Sequence, residues 1–279
     1  MDLQGAFAFR SSDSGGGVIN DIAYAVGGVD SNGNLSNVVQ AYDSATNTWN
    51  TTAPMPTARQ SLSAGVVNGI LYAVGGIGTC GNACNTVEAY DPATDTWTTV
   101  APMPTARRDL AVGVVKGILY AVGGEDDNGS LNTVEAYDPA TDSWTTKAPM
   151  PSPRYGLAVG VVHDILYAVA GASANGGNIV EAYNPAADTW TTKAPILKGR
   201  VYLAAGVING ILYAVGGYYG HFMKSVEAYN PATNVWTPVT SMPSNRAFLG
   251  AGIIKHKLYA IGGGGQHVLN TVDAFNPRL

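Results

Sequence analysis

The sequence predicts an all-β fold of six four-stranded blades arranged as a propeller, and three observations carry that expectation. The phrase Tyr-Ala-Val-Gly-Gly, or a near copy, recurs at Tyr24, Tyr72, Tyr120, Tyr167, Tyr213 and Tyr259, at spacings of 48, 48, 47, 46 and 46 residues. A fixed period of this size means that one supersecondary unit is stacked or arrayed about an axis. A second phrase, close to Val-Glu-Ala-Tyr-Asp-Pro-Ala-Thr-Asp-Thr-Trp, keeps step with the first and ends at Trp49, Trp97, Trp144, Trp190 and Trp236. Within each unit the apolar residues form short runs bounded by turn residues, with no helical period.

Residues 59–103 show the unit in order. Ser61 to Val67 is a run of small and apolar residues, and Asn68-Gly69 is a strong two-residue hairpin signal. Ile70 to Val74 follows as a second strand and stops at Gly75-Gly76. Thr86 to Tyr90 alternates as a third strand. Asp91-Pro92-Ala93-Thr94 has the Asp and Pro of a type I turn, and Thr96 to Val100 is the fourth strand, carrying Trp97. Four short antiparallel strands per unit describe a propeller blade.

Six such units account for the 279 residues, so a single domain over 1–279 is expected. The sixth unit ends at Leu279 without a Trp strand, and residues before Arg10 stand where a fourth strand belongs. Asp2 to Phe7 is therefore expected to complete the last blade, pairing the N-terminal strand with the C-terminal blade. Such closure removes exposed sheet edges. Truncation of a longer array is the alternative.

Charged residues make up only 13% of the chain, against roughly a quarter in an ordinary soluble domain, so the surface relies on Asn, Thr, Ser and Gly. A net charge of -5 without a Lys/Arg cluster argues against nucleic acid as a partner. No apolar run approaches the ~20 residues of a membrane span. The first residues, Met-Asp-Leu-Gln, show neither the basic nor the apolar region of a signal peptide. The expectation is a monomer without membrane attachment, its compartment open.

The Gly-Gly pair, the Tyr ahead of the Trp-bearing strand, the Trp itself and the following Pro-x-x-Arg, as in Pro56-Thr57-Ala58-Arg59, resemble the kelch repeat, in six copies over nearly the whole chain. One copy departs, with Ala170-Gly171 in place of Gly-Gly, which implies a small local adjustment. The resemblance implies a six-bladed kelch β-propeller. It also implies a protein-interaction platform that holds its partner on the face carrying the second turn and the blade-to-blade connections. Other six-bladed kelch proteins are sialic acid mutarotases or radical copper oxidases. The copper chemistry is disfavoured here because both thiols lie together in one loop.

The two faces differ when the copies are compared. Turns such as Asn68-Gly69, Lys116-Gly117 and Asn209-Gly210 make one face monotonous. The other varies, and loops on a rigid frame are the usual carriers of binding residues. It offers Asp30, Asn32 and Asn34 in blade 1, Cys80 to Cys84 in blade 2, and Glu125 to Asn128 in blade 3, led in by Arg108 and Asp109. Blade 4 is bland but led in by Tyr155. Blade 5 has Tyr218, Tyr219, His221, Phe222 and Lys224, led in by Tyr202; blade 6 has Gln266 and His267, led in by Phe248. Aromatic rings beside amides and a few charges suit a peptide or a sugar ring.

The expected binding residues are Arg108, Tyr155, Tyr202, Tyr218, Tyr219, His221, Phe248, Gln266 and His267, with a protein or peptide as partner. The alternative is a glycan-binding lectin or a sialic acid-type mutarotase, for which His221, His267, Glu125 and Arg108 are the acid and base candidates. No Gly-x-Ser-x-Gly elbow or His-Glu-x-x-His motif nominates an enzyme. No metal or cofactor is expected, since two imidazoles fall short of the three or four ligands of a defined site. Glu125 to Asn128 reads as a solvated acidic turn, with Ca²⁺ binding as the alternative. Cys80 and Cys84 are consistent with a local disulfide or with two reduced thiols. The periodic Arg59, Arg107, Arg154, Arg200 and Arg246 either face the central mouth and take an acidic ligand or pair structurally between blades with Glu88, Glu135, Glu181 and Glu227. Their constancy favours pairing. The repeated Tyr and Trp read as wedges between blades.

Overall fold

Six inner strands of small and β-branched residues converge on one axis: Gly15–Ile19, Ser63–Val67, Ala111–Val115, Ala158–Val162, Ala204–Ile208 and Gly250–Ile254. The computed structural model describes residues 15–30, 32–264, 269 and 271–276. The expected strand at Asp2 to Phe7, together with Gln266 and His267, lies outside the described residues. Small side chains are required where the inner strands meet their neighbours. A Cβ on Gly65 would stand 2.6 Å from Val112 Cγ1, and one on Gly160 would overlap Leu212 Cδ1. Glycine inside a strand marks this kind of close approach.

The first hairpin of each blade is closed by two residues, as in Val67↔Ile70. Asn68 and Gly69 adopt φ of 51° and 80°, the left-handed pair that matches strand twist. His163-Asp164 and Lys255-His256 make the same turn without glycine. The second strand, such as Ile70–Val74, is buried along nearly its whole length because sheets pack on both its faces. The third, such as Val87–Asp91, is likewise buried, and the fourth, such as Thr96–Thr99, is largely exposed. Blades 1 to 5 each run in the order first, second, third, fourth; blade 6 has three strands among the described residues. Blade 4 keeps this order around Ala170, which takes the left-handed φ of 58° held by glycine in the other copies.

Tyrosines hold neighbouring blades together. The second-strand Tyr24 meets the third-strand Tyr90 of the next blade at 5.8 Å between ring centroids, and Tyr72–Tyr137, Tyr120–Tyr183 and Tyr167–Tyr229 repeat the contact at 5.6, 5.9 and 5.6 Å. The same contact, Tyr259–Tyr42 at 6.2 Å, joins blade 6 to blade 1 within a buried cluster that includes Ala23, Ile254, Ile261 and Val272. The ring is thus closed by packing. As expected, the Trp residues wedge between blades: Trp97, Trp144 and Trp190 pack half-buried against cores shared with the preceding blade, and Trp236 is buried in one. Trp97 Nε1 donates to the Ala53 carbonyl at 2.9 Å, while the Ala53 N–H donates to Asp95 at 2.8 Å, so blade 2 grips both polar groups of a residue in the preceding connection, and blades 3 to 5 repeat the grip.

The five arginines are 0–1% exposed, which removes them from any ligand-facing role. They pair within the blade they lead into rather than between blades. Arg59 donates to Glu88 at 2.8 Å and to the carbonyls of Gly75 and Thr86 at 2.6 and 3.0 Å, tying both shoulders of the second turn. Arg107–Glu135, Arg154–Glu181, Arg200–Glu227 and Arg246–Asp273 repeat the pair. Desolvation pulls the Arg107 guanidinium down to about 10, against the opposing pull of the Glu135 charge, so it stays charged at neutral pH. Blade 1 has Gln40 at the carboxylate position. It is buried, and its amide oxygen meets no partner among the described residues.

Candidate functional site

Between each buried arginine and its inner strand lie three residues that build the axial mouth. The third is a leucine, Leu62, Leu110, Leu157, Leu203 or Leu249, buried to 5–7% exposure, and it anchors the segment. The second is Ser61, Asp109, Gly156, Tyr202 or Phe248, each at a φ between 52° and 59°. This left-handed turn points successive N–H and C=O groups around the axis. Asp109 N–H donates to the Ser61 carbonyl at 3.0 Å, Gly156 to Asp109 at 2.9 Å, Tyr202 to Gly156 at 2.7 Å and Phe248 to Tyr202 at 2.9 Å. The result is a belt of backbone hydrogen bonds running from blade 2 to blade 6.

Inside the belt is a well of about 190 Å³. Its rim carries Ser61, Asp109, Tyr202 and Phe248, with a gap at Gly156, and its wall includes Gly16, Ala64, Val112, Val159, Ala205 and Ala251. Alternation along a strand places the next inward positions at Val18, Val66, Val114, Val161, Val207 and Ile253. Tyr202 and Phe248 are stacked, with centroids 4.0 Å apart and planes at 29°, and Tyr155 stands 6.2 Å from Tyr202.

The first residue of each lead-in is tied to the second turn of its own blade. Arg108 bridges Glu125, Tyr155 bridges Ala172, Val201 bridges Tyr218, and Ala247 bridges Gly264. Tyr218 therefore sits beside the rim, edge-on to Phe222 at 5.4 Å, and is 38% exposed. Tyr219 is 67% exposed, its N–H donating to the His221 carbonyl, and His221 is exposed at the loop tip. Tyr155, Tyr202, Tyr218, Tyr219, His221 and Phe248 thus gather on blades 4 to 6.

Arg108 belongs to a separate, acidic side. Its guanidinium donates to Glu125 at 3.0 Å and to the Asn82 carbonyl at 3.0 Å, with Asp127 at 3.6 Å. Asp126 accepts from the backbone of Asn128 and Gly129, and the Asn128 N–H does most to hold its carboxyl below the usual range. Asp30 does the same in blade 1, chiefly through the Asn34 N–H. Cys80 and Cys84 are joined as a disulfide, Cα atoms 5.6 Å apart, in the loop that supplies Asn82. Among the described residues no group of three or more His, Cys, Asp or Glu is placed to hold a metal ion.

Two family models match this sequence: the calicin β-propeller domain over residues 19–181, more than half of the chain, and the kelch motif over residues 199–243. The chain belongs to the kelch-repeat β-propellers. No curated protein matches it. Among solved structures, that of YjhT superposes with a TM-score of 0.81 over 98% of this chain and 95% of the other, at 18% identity, a likeness of fold alone. The kelch propeller is in general a protein-interaction module.

In this kelch propeller, Ser61 and Gly156 complete a rim that sequence reasoning did not assemble, and Asp109 appeared only as a neighbour of Arg108. The signal was present in the lead-ins. Aligned on the buried Arg and Leu, Gln60-Ser61, Arg108-Asp109, Tyr155-Gly156, Val201-Tyr202 and Ala247-Phe248 fall in one register. That register separates Tyr155, one residue off the rim, from Tyr202 and Phe248, which are on it.

Proposed function

We propose that this kelch propeller is a binding module that holds a protein or peptide partner on the face of the second turns and blade connections, with the aromatic side of blades 4 to 6 as its contact surface. The carrying observation is the distribution of exposed apolar side chains. Of the large ones among the described residues, Leu35, Leu197, Tyr218 and Tyr219 belong to this face and Val235 to the opposite one. Tyr218 and Tyr219 belong to blade 5 and Leu197 to the connection leading into it, and Tyr218 bridges Val201, the neighbour of Tyr202 in the stacked Tyr202–Phe248 pair. Aromatic side chains on a rigid frame are the residue type that dominates binding energy at protein interfaces.

A photo-cross-linking side chain at position 219 is expected to capture a partner, and the same group at position 235 is not. Replacing Tyr219 and His221 together by Ala is expected to abolish partner binding with the melting temperature nearly unchanged. Equal capture from both positions, or a large loss of stability in the double variant, would sink the reading. The stacked rings, which line one well with Ser61 and Asp109, also suit a sugar, as a lectin or mutarotase would use them. A panel of acidic and neutral sugars in thermal unfolding tests this, since a ligand at a hundred times its Kd adds about 2.7 kcal/mol to apparent stability.

A further inference from the structure

We propose that blade 5 and the connection leading into it take an acidic peptide segment. An apolar side chain of that segment rests on Leu197, Tyr218 and Tyr219, and its carboxylates meet Lys198 and Lys224. This rests on the reading of the face as a binding surface and names the chemistry of the partner. The first argument is a departure from the repeat. Pro56-Thr57, Pro104-Thr105 and Pro151-Ser152 lead into blades 2 to 4, and each hydroxyl donates to the carboxylate held by the buried arginine, at 2.8, 2.7 and 2.9 Å. In blade 5 the same two positions are Leu197-Lys198. Leucine has the N–H that proline lacks, and that of Leu197 donates to Glu227 at 2.8 Å, so the buried carboxylate keeps its second donor. Lys198 is thereby released from the task of Thr57, and both it and Leu197 are exposed. Their setting is rigid. Arg200 Nε donates to the Lys198 carbonyl at 3.1 Å, and Arg200 Nη1 donates to the carbonyl and hydroxyl of Ser225 at 3.2 and 3.0 Å. One buried guanidinium thus fixes the backbone at Lys198 and beside Lys224, while the Val201–Tyr218 bridge fixes Tyr218 to the same lead-in.

Charge is the second argument. The carboxylates of blades 4 and 5, residues 154–239, are Asp164, Glu181, Asp188 and Glu227. Glu181 and Glu227 are buried against Arg154 and Arg200. Asp164 sits in the first turn on the opposite face, paired with Lys116 at 2.9 Å. Asp188 follows the third turn on that opposite face, where it accepts from the Tyr183 hydroxyl and the Ala148 N–H. The binding face of these two blades therefore carries no carboxylate of its own. It does carry cations: Lys193 and Lys198 in the connection into blade 5, and Lys224 at the end of its second turn. The lysine ion pairs among the described residues are Lys116–Asp164 and Lys255–Asp21, so these three ammonium groups have no carboxylate partner there. Asp30, Glu125, Asp126 and Asp127 belong to the same face on blades 1 and 3. They repel an acidic segment from that side and so restrict it to blade 5, which is specificity by repulsion as well as by attraction.

The test titrates three peptides into the whole chain by NMR at low salt: acetyl-Glu-Leu-Glu-Phe-Glu amide, and its counterparts with Gln or Lys in place of every Glu. The Glu peptide is expected to bind tightest, the Gln peptide more weakly and the Lys peptide not measurably, with the Glu peptide losing its advantage at high salt. Lys198→Glu with Lys224→Glu is expected to weaken the Glu peptide about tenfold or more. Lys116→Glu with Lys257→Glu makes the same change of net charge on the opposite face and is expected to leave its binding within about twofold. Leu197→Ser keeps the N–H that Glu227 needs and is expected to weaken the Glu and Gln peptides alike. The proposal is overturned if the Lys peptide binds as well as the Glu peptide, if the Glu peptide does not bind, or if the Lys198 and Lys224 reversal weakens it no more than the reversal on the opposite face. Capture of a partner at position 219 that the Lys198 and Lys224 reversal leaves unchanged overturns this proposal alone. Glu-peptide binding that depends on the two lysines, with equal capture from positions 219 and 235, overturns only the broader contact surface proposed above.

Discussion

Asp95, Asp142 and Asp188 each hold two donors from different blades on one carboxylate. The oxygen accepts the hydroxyl of Tyr90, Tyr137 or Tyr183 from its own blade and the N–H of Ala53, Ala101 or Ala148 from the preceding connection. The backbone N–H is the main cause that lowers the pKa of Asp95 and Asp142, and the Tyr183 hydroxyl is the main cause at Asp188. A carboxyl lowered on folding contributes stability above its unfolded value, about 3.9, and that contribution is lost as the pH falls through the folded value. Stability is therefore expected to hold from neutral pH to about 4 and to decline below it. Blade 5 has already made the substitution that tests this: Asn234 accepts the same two bonds, from Tyr229 and Ala194. The triple variant Asp95→Asn, Asp142→Asn, Asp188→Asn is expected to melt normally at neutral pH and to show a shallower acid decline in thermal unfolding. An unchanged decline would assign the acid limb to other carboxylates.

At the scale of the strand, the inner edge of each blade is set by which positions tolerate a Cβ. Gly160 and Gly250 both lie in inner strands, with ordinary strand backbone, yet their surroundings differ. A Cβ on Gly160 overlaps Leu212, whereas on Gly250 the nearest atoms among the described residues are 3.9 Å away, and Ala111, Ala158 and Ala204 already occupy its equivalent. Gly160→Ala is expected to destabilise by about 1–3 kcal/mol through overpacking. Gly250→Ala is expected to be neutral or to stabilise by up to about 1 kcal/mol, because it restricts the unfolded chain without a clash. Chemical denaturation of the two variants separates these effects, since both lose the same unfolded-state freedom. Equal effects would mean that neighbouring blades slide apart easily, contrary to the close packing of Gly65, Gly113 and Gly160 against the next blade.

Across the whole molecule, what could be read from the chain was what repeats. The Tyr-Ala-Val strand and Trp97 carry a local signal six and five times over, and Asn68-Gly69 recurs at Asn209-Gly210, so blade, strand order and variable face were legible before any coordinates. The belt was not, because nothing local in Ser61, Asp109, Tyr202 or Phe248 asks for a positive φ. That conformation is imposed by the neighbouring lead-in, through hydrogen bonds between residues some 46 to 48 positions apart. Ring closure is the same kind of property. Open repeat arrays are governed by nearest-neighbour interfaces and have two weak ends, whereas here Tyr259 packs on Tyr42 as Tyr120 packs on Tyr183. If the seam carries the same load as an internal interface, Tyr259→Ala and Tyr120→Ala should each cost about 3–5 kcal/mol, in line with other large-to-small aromatic changes. Each variant should also unfold in one transition, since every blade then depends on both neighbours. A much smaller cost for Tyr259→Ala, or an early separate transition in that variant alone, would show that the ring is held at five interfaces and merely touches at the sixth.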